Sequence, residues 1–370
     1  MTSTPTVSPS PPPPGPGVRE SSDTLQGQAT LDQTSLGQAT TGLPWPAAKL
    51  EPTVPVLATK NLTVDLLAPN GSLNVIRNVS LKVKNQDIVG LIGESGGGKS
   101  VFWRSLFGLL DSAKWQVSGQ ALLQGKALNY LDEEECRALR GQTVGIIPQD
   151  PMSSFDPVRT ILSHFLETAG AHTDLTKKEI REMAQASLAR LYIDNPKRIL
   201  SSYPFQCSGG TLQRVMVAIA DMLKPALLVA DEPTTSVDVT VRREVLSLLK
   251  NSKDQSQTSI LLISHDLKAV MSVASEINVM YAGSIIERIP TPALAAGQAR
   301  HPYTIKLIKS RPSFSKERLE SIPGSPPSLP ERQSGCPFQP RCEKALDGCQ
   351  DYALEPKQLN PGHEVRCLLV

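Results

Sequence analysis

The sequence predicts an α/β fold: a parallel sheet with phosphate-binding chemistry along its C-terminal edge. Three observations predict it. The glycine-rich stretch "GESGGGKS" (93–100) stands between the strand-like "DIVGLI" and the apolar, helix-like "VFWRSLFGLL". The runs "PALLVADE" and "TSILLISHD" are continuously apolar, as strands buried on both faces are, and each ends on ionisable residues. A third run, "TVGIIPQ", closes on Gln149. Side chains at such strand ends lie where open α/β sheets bind their ligands.

The elements follow in chain order. Residues 1–50 are rich in Pro, Ser, Thr, Gln and Gly and include "SPSPPPPGPG". Such a segment buries too little apolar surface to offset its chain entropy, so it is expected to be disordered, with polyproline character near its start. The 370-residue chain carries a net charge of +2, with 20% charged residues, and implies no nucleic acid or other polyanionic partner. No basic segment precedes an apolar core as in a secretory signal, and no apolar run is long enough to cross a bilayer. The expectation is a soluble chain whose membrane role, if any, comes through partners.

The 93–100 stretch fits G-x-x-x-x-G-K-[ST] in its strand–loop–helix context, which marks a P-loop rather than a chance glycine run. Gly93, Glu94, Ser95, Gly96, Gly97 and Gly98 form the turn, its glycines letting backbone N–H groups point inward at phosphate oxygens; Val101 follows it. Lys99 supplies a cation for the β/γ-phosphates and Ser100 a hydroxyl for Mg²⁺. Asp231 is the second candidate Mg²⁺ ligand, and Glu232 the candidate base for a water aimed at the γ-phosphate. His265, at a strand tip, is a candidate γ-phosphate donor. Gln149 can accept from water and touch Mg²⁺, or cap a turn between prolines.

A second anion-collecting feature lies further on. "CSGGT" precedes an amphipathic stretch, so Ser208, Gly209 and Gly210 open a helix whose first N–H groups are unpaired. Taken alone, this is an ordinary helix N-cap. Four of the six cysteines fall in the last 35 residues, Cys336, Cys342, Cys349 and Cys367, spaced C-x₅-C-x₆-C-x₁₇-C. In a reducing compartment clustered thiols point to metal or redox chemistry, and gaps this wide favour a [4Fe-4S] cluster over zinc, with unligated thiols as the remaining alternative. The expected consequence is a small Cys-rich C-terminal domain tied together by its metal.

The order of P-loop, Gln149, "CSGGT", "LLVADE", "SVDVT" and His265 resembles the ATP-binding subunit of ABC transporters over residues 55–290. Within that superfamily "GLIGESGGGKS", "QDPMSSFDP", "YAGSIIE", "HPYTIKLIKSRP" and the cysteine tail are similar to the oligopeptide/dipeptide/nickel uptake group; "LLISHDL" with "INVMYAG" is also similar to the antimicrobial-peptide-resistance branch. The resemblance implies an ABC ATPase core at 55–290 with a helical subdomain at about 150–220, a transporter-type region at 291–370, and ATP with Mg²⁺ as cofactors. It also implies head-to-tail pairing with a second ATPase subunit, Ser208, Gly209 and Gly210 serving the nucleotide held by the partner. Two membrane permease subunits and an extracytoplasmic substrate-binding protein complete the implied assembly at the cytoplasmic face of the inner membrane. In the helical region Phe155, Ile161 and Phe165 could line a groove for a permease helix, or simply pack the core. The cargo stays open among dipeptides, oligopeptides, nickel chelates and antimicrobial peptides.

Three departures from the family pattern matter. Cys207 and Thr211 replace the usual first and last residues of the signature, and Ser236-Val237-Asp238 stands where Ala-Leu-Asp is common. These imply a heterodimer with one weaker site. No aromatic residue or histidine occurs from Asn61 to Val101, so adenine stacking is expected to be weak or to fall to aliphatic side chains near Leu73–Ile76. The competing readings are a regulatory or scaffold subunit with weak hydrolysis and an ABC ATPase unconnected with transport.

Overall fold

The continuous apolar runs form strands buried along their whole length. In the computed structural model, which describes residues 54–69, 71–128, 132–235, 239–310, 321–331, 335–350 and 355–370, these are β4 below and its neighbours. The 1–50 segment and Ser236, Val237 and Asp238 lie outside the described residues. In chain order the strands are β1 (Leu57–Ala68), β2 (Gly71–Val79), β3 (Lys82–Val83), β4 (Ile88–Ile92), β5 (Trp115–Leu123), β6 (Lys126–Ala127), β7 (Val144–Ile147), β8 (Leu227–Asp231), β9 (Ser259–Ser264), β10 (Glu276–Tyr281), β11 (Ser284–Pro290), β12 (Lys357–Asn360) and β13 (His363–Val365).

They make two sheets. The larger has the order β12-β13-β11-β10-β4-β9-β8-β7, parallel from β10 to β7 and antiparallel beyond β10. The smaller is antiparallel, ordered β2-β1-β5-β6 with β3 also on β1. The two-residue period of a strand sends alternate side chains to opposite faces. Ile88 and Ile92 of β4, Leu228 and Ala230 of β8, and Ile260 and Leu262 of β9 join one core with the helices. Val89, Leu91, Leu227, Val229, Leu261 and Ile263 join a second core with the antiparallel sheet and with Phe102, Trp103 and Leu106 of the helix Lys99–Leu106. Two buried faces explain why these strands show no apolar–polar alternation in sequence.

Between β7 and β8 the chain is helical: Pro151–Ser154, Ile161–Gly170, Lys177–Arg190, Pro196–Ser201 and Gly209–Asp221. Thr176 starts the Lys177–Arg190 helix with a capping box closed by Glu179. Its buried Ile180, Ala184 and Leu188 recur every four residues, one stripe facing the core. Of the two readings of Phe155, Ile161 and Phe165, the burial favours core packing over a groove. Ile161 and Phe165, also four apart, are 0% exposed and Phe155 is 7% exposed, all three within the helix-side core.

The C-terminal residues do not form the separate small domain expected from their cysteines. β13 pairs with β11, Glu287 opposite Val365, and extends the large sheet. Tyr303, Cys336, Phe338 and Cys349 are buried in the same core as Phe165 and Leu262. A short segment with little apolar content of its own gains a core by sharing one. Residues 44–370 accordingly make one compact unit. Among the described residues no helix is long and apolar enough to cross a membrane.

Candidate nucleotide site

Neighbouring parallel strands set out the predicted residues in a row. Ile92 of β4 is paired with Ser264 of β9, and Ile263 of β9 with Asp231 of β8. The P-loop leaves after Ile92, His265 follows Ser264, and Glu232 follows Asp231. Ile147 of β7 pairs with Ala230, the residue before Asp231, and Gln149 follows, exposed, two residues beyond its strand. Four strands that are scattered in sequence thus place loop, histidine, carboxylates and amide along one edge.

The loop is curled as its glycines allow. Gly96 (φ +74°) and Gly98 (φ +99°) occupy the left-handed region, and Gly98 precedes the first turn of the helix Lys99–Leu106. At Gly93 a Cβ would lie 2.1 Å from the Met280 carbonyl oxygen, so only glycine lets the loop cross β10. The turn between β10 and β11 backs it: Ala282 and Gly283 both have positive φ, and the Gly283 N–H donates to the Gly97 carbonyl at 2.8 Å. Ile76 also presses on the loop: a Cβ at Gly98 would meet Ile76 Cδ1 at 2.7 Å and the Val75 carbonyl oxygen at 3.5 Å. Both residues belong to the 73–76 stretch expected to supply base contacts.

Lys99 is 6% exposed, and its Nζ donates to the carbonyls of Gly93 (2.9 Å) and Glu94 (3.0 Å), 4.0 Å from Glu232 Oε1. Burial lowers its pKa, against the upward pull of Glu232, Asp231 and Glu94. Asp231, 1% exposed, accepts at Oδ2 from Trp103 Nε1 (2.8 Å), while its Oδ1 is buried with no hydrogen-bond partner. An orphaned carboxylate oxygen at the end of β8, together with the P-loop hydroxyl of Ser100, is an oxygen donor set whose chemistry fits Mg²⁺. Glu232 holds φ at +53°, an uncommon conformation for a residue with a side chain, and its N–H donates to Ile263 O at 2.8 Å. Its carboxylate accepts from Thr235 Oγ1 (2.7 Å) and is hydrogen-bonded to His265 Nδ1. The glutamate is 10% exposed at its side chain and the histidine 59%, so the pair presents the ring outward.

"CSGGT" is built as a helix start: the Ser208 side chain accepts from Thr211 N–H at 3.2 Å and shares a 2.9 Å contact with its hydroxyl. Ser208 and Gly209 are exposed. A Cβ at Gly210 would press Val241 at 3.1 Å. Of the tail cysteines, the Cys336 N–H donates to the Cys349 carbonyl at 2.7 Å, and the Cys336 thiol pKa is pushed up to about 11, mainly by burial. Among the described residues, however, no three His, Cys, Asp or Glu side chains stand in a metal-holding group.

Residues 76–235 match the ABC transporter family, and residues 286–349 match the oligopeptide/dipeptide transporter C-terminal region. The chain is 39% identical over 302 residues to the probable D,D-dipeptide transport ATP-binding protein DdpD of Escherichia coli K12, covering 81% of this chain and 92% of that one. It is 34% identical over 342 residues to the oligopeptide transport ATP-binding protein OppD of Salmonella typhimurium, covering 90% and 97%. The chain belongs to the oligopeptide/dipeptide group of ABC transporter ATP-binding proteins. As a member of this family it is an ATPase, the motor subunit of an ABC transporter. In fold it is similar to a dimeric ATP-binding cassette solved in a post-hydrolysis state with ADP and Pi, with a TM-score of 0.57 and 23% identity over 64% of this chain and 98% of that one.

Several residues that shape this ABC ATPase site escaped sequence reasoning. Trp103 looked like a core residue of an apolar helix, and its indole N–H gave no signal. The turn at Ala282–Gly283 was visible only as part of the family-like "YAGSIIE". Tyr303, in "HPYTIKLIKSRP", accepts from the Glu94 N–H at 3.0 Å, and Arg341, between two cysteines, reaches the Glu94 carboxylate.

Proposed function

We propose that this subunit powers import of di- or oligopeptides, held at the cytoplasmic face of the membrane by two permease subunits and fed by an extracytoplasmic substrate-binding protein. The match of residues 286–349 to a region named for oligopeptide and dipeptide transporters carries the reading, since a transport-independent ATPase gives no reason for that region. The relatives' names point the same way. Met152, Val158 and the stacked Tyr203 and Phe205 of the segment between β7 and β8 are exposed apolar side chains of the kind a permease helix could contact.

In this reading the backbone of residues 93–101 cradles the triphosphate and Lys99 neutralises it; Ser100, Asp231 and Gln149 would hold Mg²⁺, which would supply further positive charge to the phosphates. Glu232 orients and deprotonates the attacking water, its carboxylate kept in place by Thr235 and His265. His265, more exposed than its partner, turns its second ring nitrogen to the γ-phosphate. Ser208, Gly209 and Gly210 act on the nucleotide of a second, non-identical ATPase subunit. A shared ligand lost on hydrolysis makes pairing ATP-dependent and converts chemistry into motion. The clustering in sequence of Cys336, Cys342, Cys349 and Cys367 supports a [4Fe-4S] cluster, with zinc as the alternative. A visible absorbance band that bleaches on reduction of anaerobically purified protein supports the cluster; bound zinc or bare thiols would refute it.

The deciding experiment reconstitutes the chain with its co-expressed partners in vesicles. ATP turnover stimulated by a binding protein loaded with di- or oligopeptide is expected. Stimulation by nickel chelates or antimicrobial peptides alone would overturn the cargo assignment. Ser208→Ala is expected to slow turnover of the paired complex while leaving ATP affinity of the isolated chain intact; loss of that affinity would overturn the shared-site reading.

A further inference from the structure

Glu94 places a carboxylate inside a loop built for a polyanion. Its charge pulls on Lys99 against the burial that lowers the lysine's pKa, and Lys99 Nζ already donates to the Glu94 carbonyl at 3.0 Å. Left uncompensated, that carboxylate would repel the phosphates and compete for Lys99. The C-terminal region deals with it. Arg341 Nη1 donates to Glu94 Oε2 at 2.8 Å and Nη2 to Oε1 at 3.3 Å, a forked pair. The remaining donations are to Tyr281 OH (3.0 Å, from Nη1), the Ile322 carbonyl (3.3 Å, from Nη2) and the Pro323 carbonyl (2.8 Å, from Nε). All five N–H groups of the guanidinium are therefore spent, and the side chain is 7% exposed. An arginine so engaged has no donor left for a phosphate of its own.

The same loop residue is held at its backbone. Tyr303 OH accepts from the Glu94 N–H, and Tyr303 is packed against Tyr281 (ring centroids 4.6 Å apart) and Phe338 (5.3 Å). The Arg341 guanidinium lies 5.8 Å from the Tyr281 ring centre and 5.9 Å from that of Phe338. Three segments, 281, 303 and 338–341, thus converge on one residue of the phosphate loop.

We propose that the C-terminal region is a working part of the nucleotide site, with Arg341 a positioning residue that neutralises Glu94 and draws it off so that the loop and Lys99 are free to take ATP. Arg341 touches no reacting atom. Its loss weakens ATP binding through the charge it leaves exposed, and removing that charge restores binding. Because Arg341 is flanked by Cys336 and Cys342, whatever orders those thiols also orders the phosphate loop.

The test uses the full-length chain, with Mg-ATP affinity read by calorimetry and kcat and KM by phosphate release. Arg341→Gln is expected to raise Kd and KM for ATP about tenfold with kcat within about twofold, the pattern of lost ground-state binding. The double variant Glu94→Gln/Arg341→Gln is expected to recover most of that loss, a coupling that lost packing alone does not produce. Arg341→Lys keeps the charge and is expected to fall between; it serves in place of Arg341→Gln should that variant not fold. Unchanged ATP affinity in a folded Arg341 variant, or a double variant no better than the single, would overturn the proposal.

Discussion

Trp103 Nε1 donates to Asp231 Oδ2 at 2.8 Å inside the protein, leaving Asp231 Oδ1 as the carboxylate's buried, unpaired oxygen. A helix that begins at the phosphate loop therefore aims the carboxylate of β8. Trp103→Phe keeps an aromatic ring in the core but removes the donor. The expected result is a Mg²⁺ requirement for turnover raised about tenfold, the scale on which a metal ligand's supporting hydrogen bond acts. Activity titrated against Mg²⁺ at saturating ATP checks it; an unchanged Mg²⁺ midpoint counts against the role.

Glu232 sits at φ +53° with its carboxylate tied to Thr235 and His265. Glu232→Gln preserves shape and most hydrogen bonds while removing the base. Turnover is expected to fall at least about a hundredfold, the contribution of a positioned general base, with ATP affinity retained. Single-turnover hydrolysis together with nucleotide binding separates the two quantities.

Asp221 is held away from water near Ser252, with Oδ1 unpaired. Burial raises its carboxyl pKa, against the pull of the Ser252 hydrogen bond and of Arg190 and Lys224. A carboxyl whose folded pKa is raised destabilises the fold when ionised, and the penalty fades as pH falls through that folded value. Asp221→Asn is thus expected to raise the melting temperature at neutral pH, by an effect of a few tenths to about 1 kcal/mol. The gain is expected to shrink in acid. Thermal melts from neutral pH down to about pH 4 give the comparison.

The aliphatic Ile76 side chain lies against the phosphate loop, and no aromatic residue occurs from Asn61 to Val101 to stack on a base. With base recognition resting on apolar contact, ATP and GTP are expected to differ in kcat/KM by no more than about tenfold. Competition between the two nucleotides measures this, and a preference of a hundredfold or more would show a base-reading contact elsewhere.

Much of the site was legible locally. Residues 93–100 specify a phosphate loop because glycine permits positive φ and because lysine and serine must follow at fixed spacing. The runs ending at Asp231 and Ser264 read as doubly buried strands because nothing polar interrupts them. Their side-by-side order follows from strand pairing, which the order of motifs along the chain does not reveal. The helix read through to residue 110 ends at Leu106, since the following Gly108 adopts φ +62°, where a Cβ would strike Cys136. The cysteine tail misled in one respect: spacing alone suggested a domain of its own, whereas strand pairing with β11 folds it into the main core.

The chain by itself determined which local pieces exist, since loop curl, strand burial and helix capping are settled by neighbours a few residues apart. Only the tertiary structure decided what those pieces do to one another. Arg341 and Glu94 are 247 positions apart, and Trp103 and Asp231 are 128 apart. Contacts over such distances arise when packing closes long loops, and no periodicity or spacing along the chain encodes which side chains then meet.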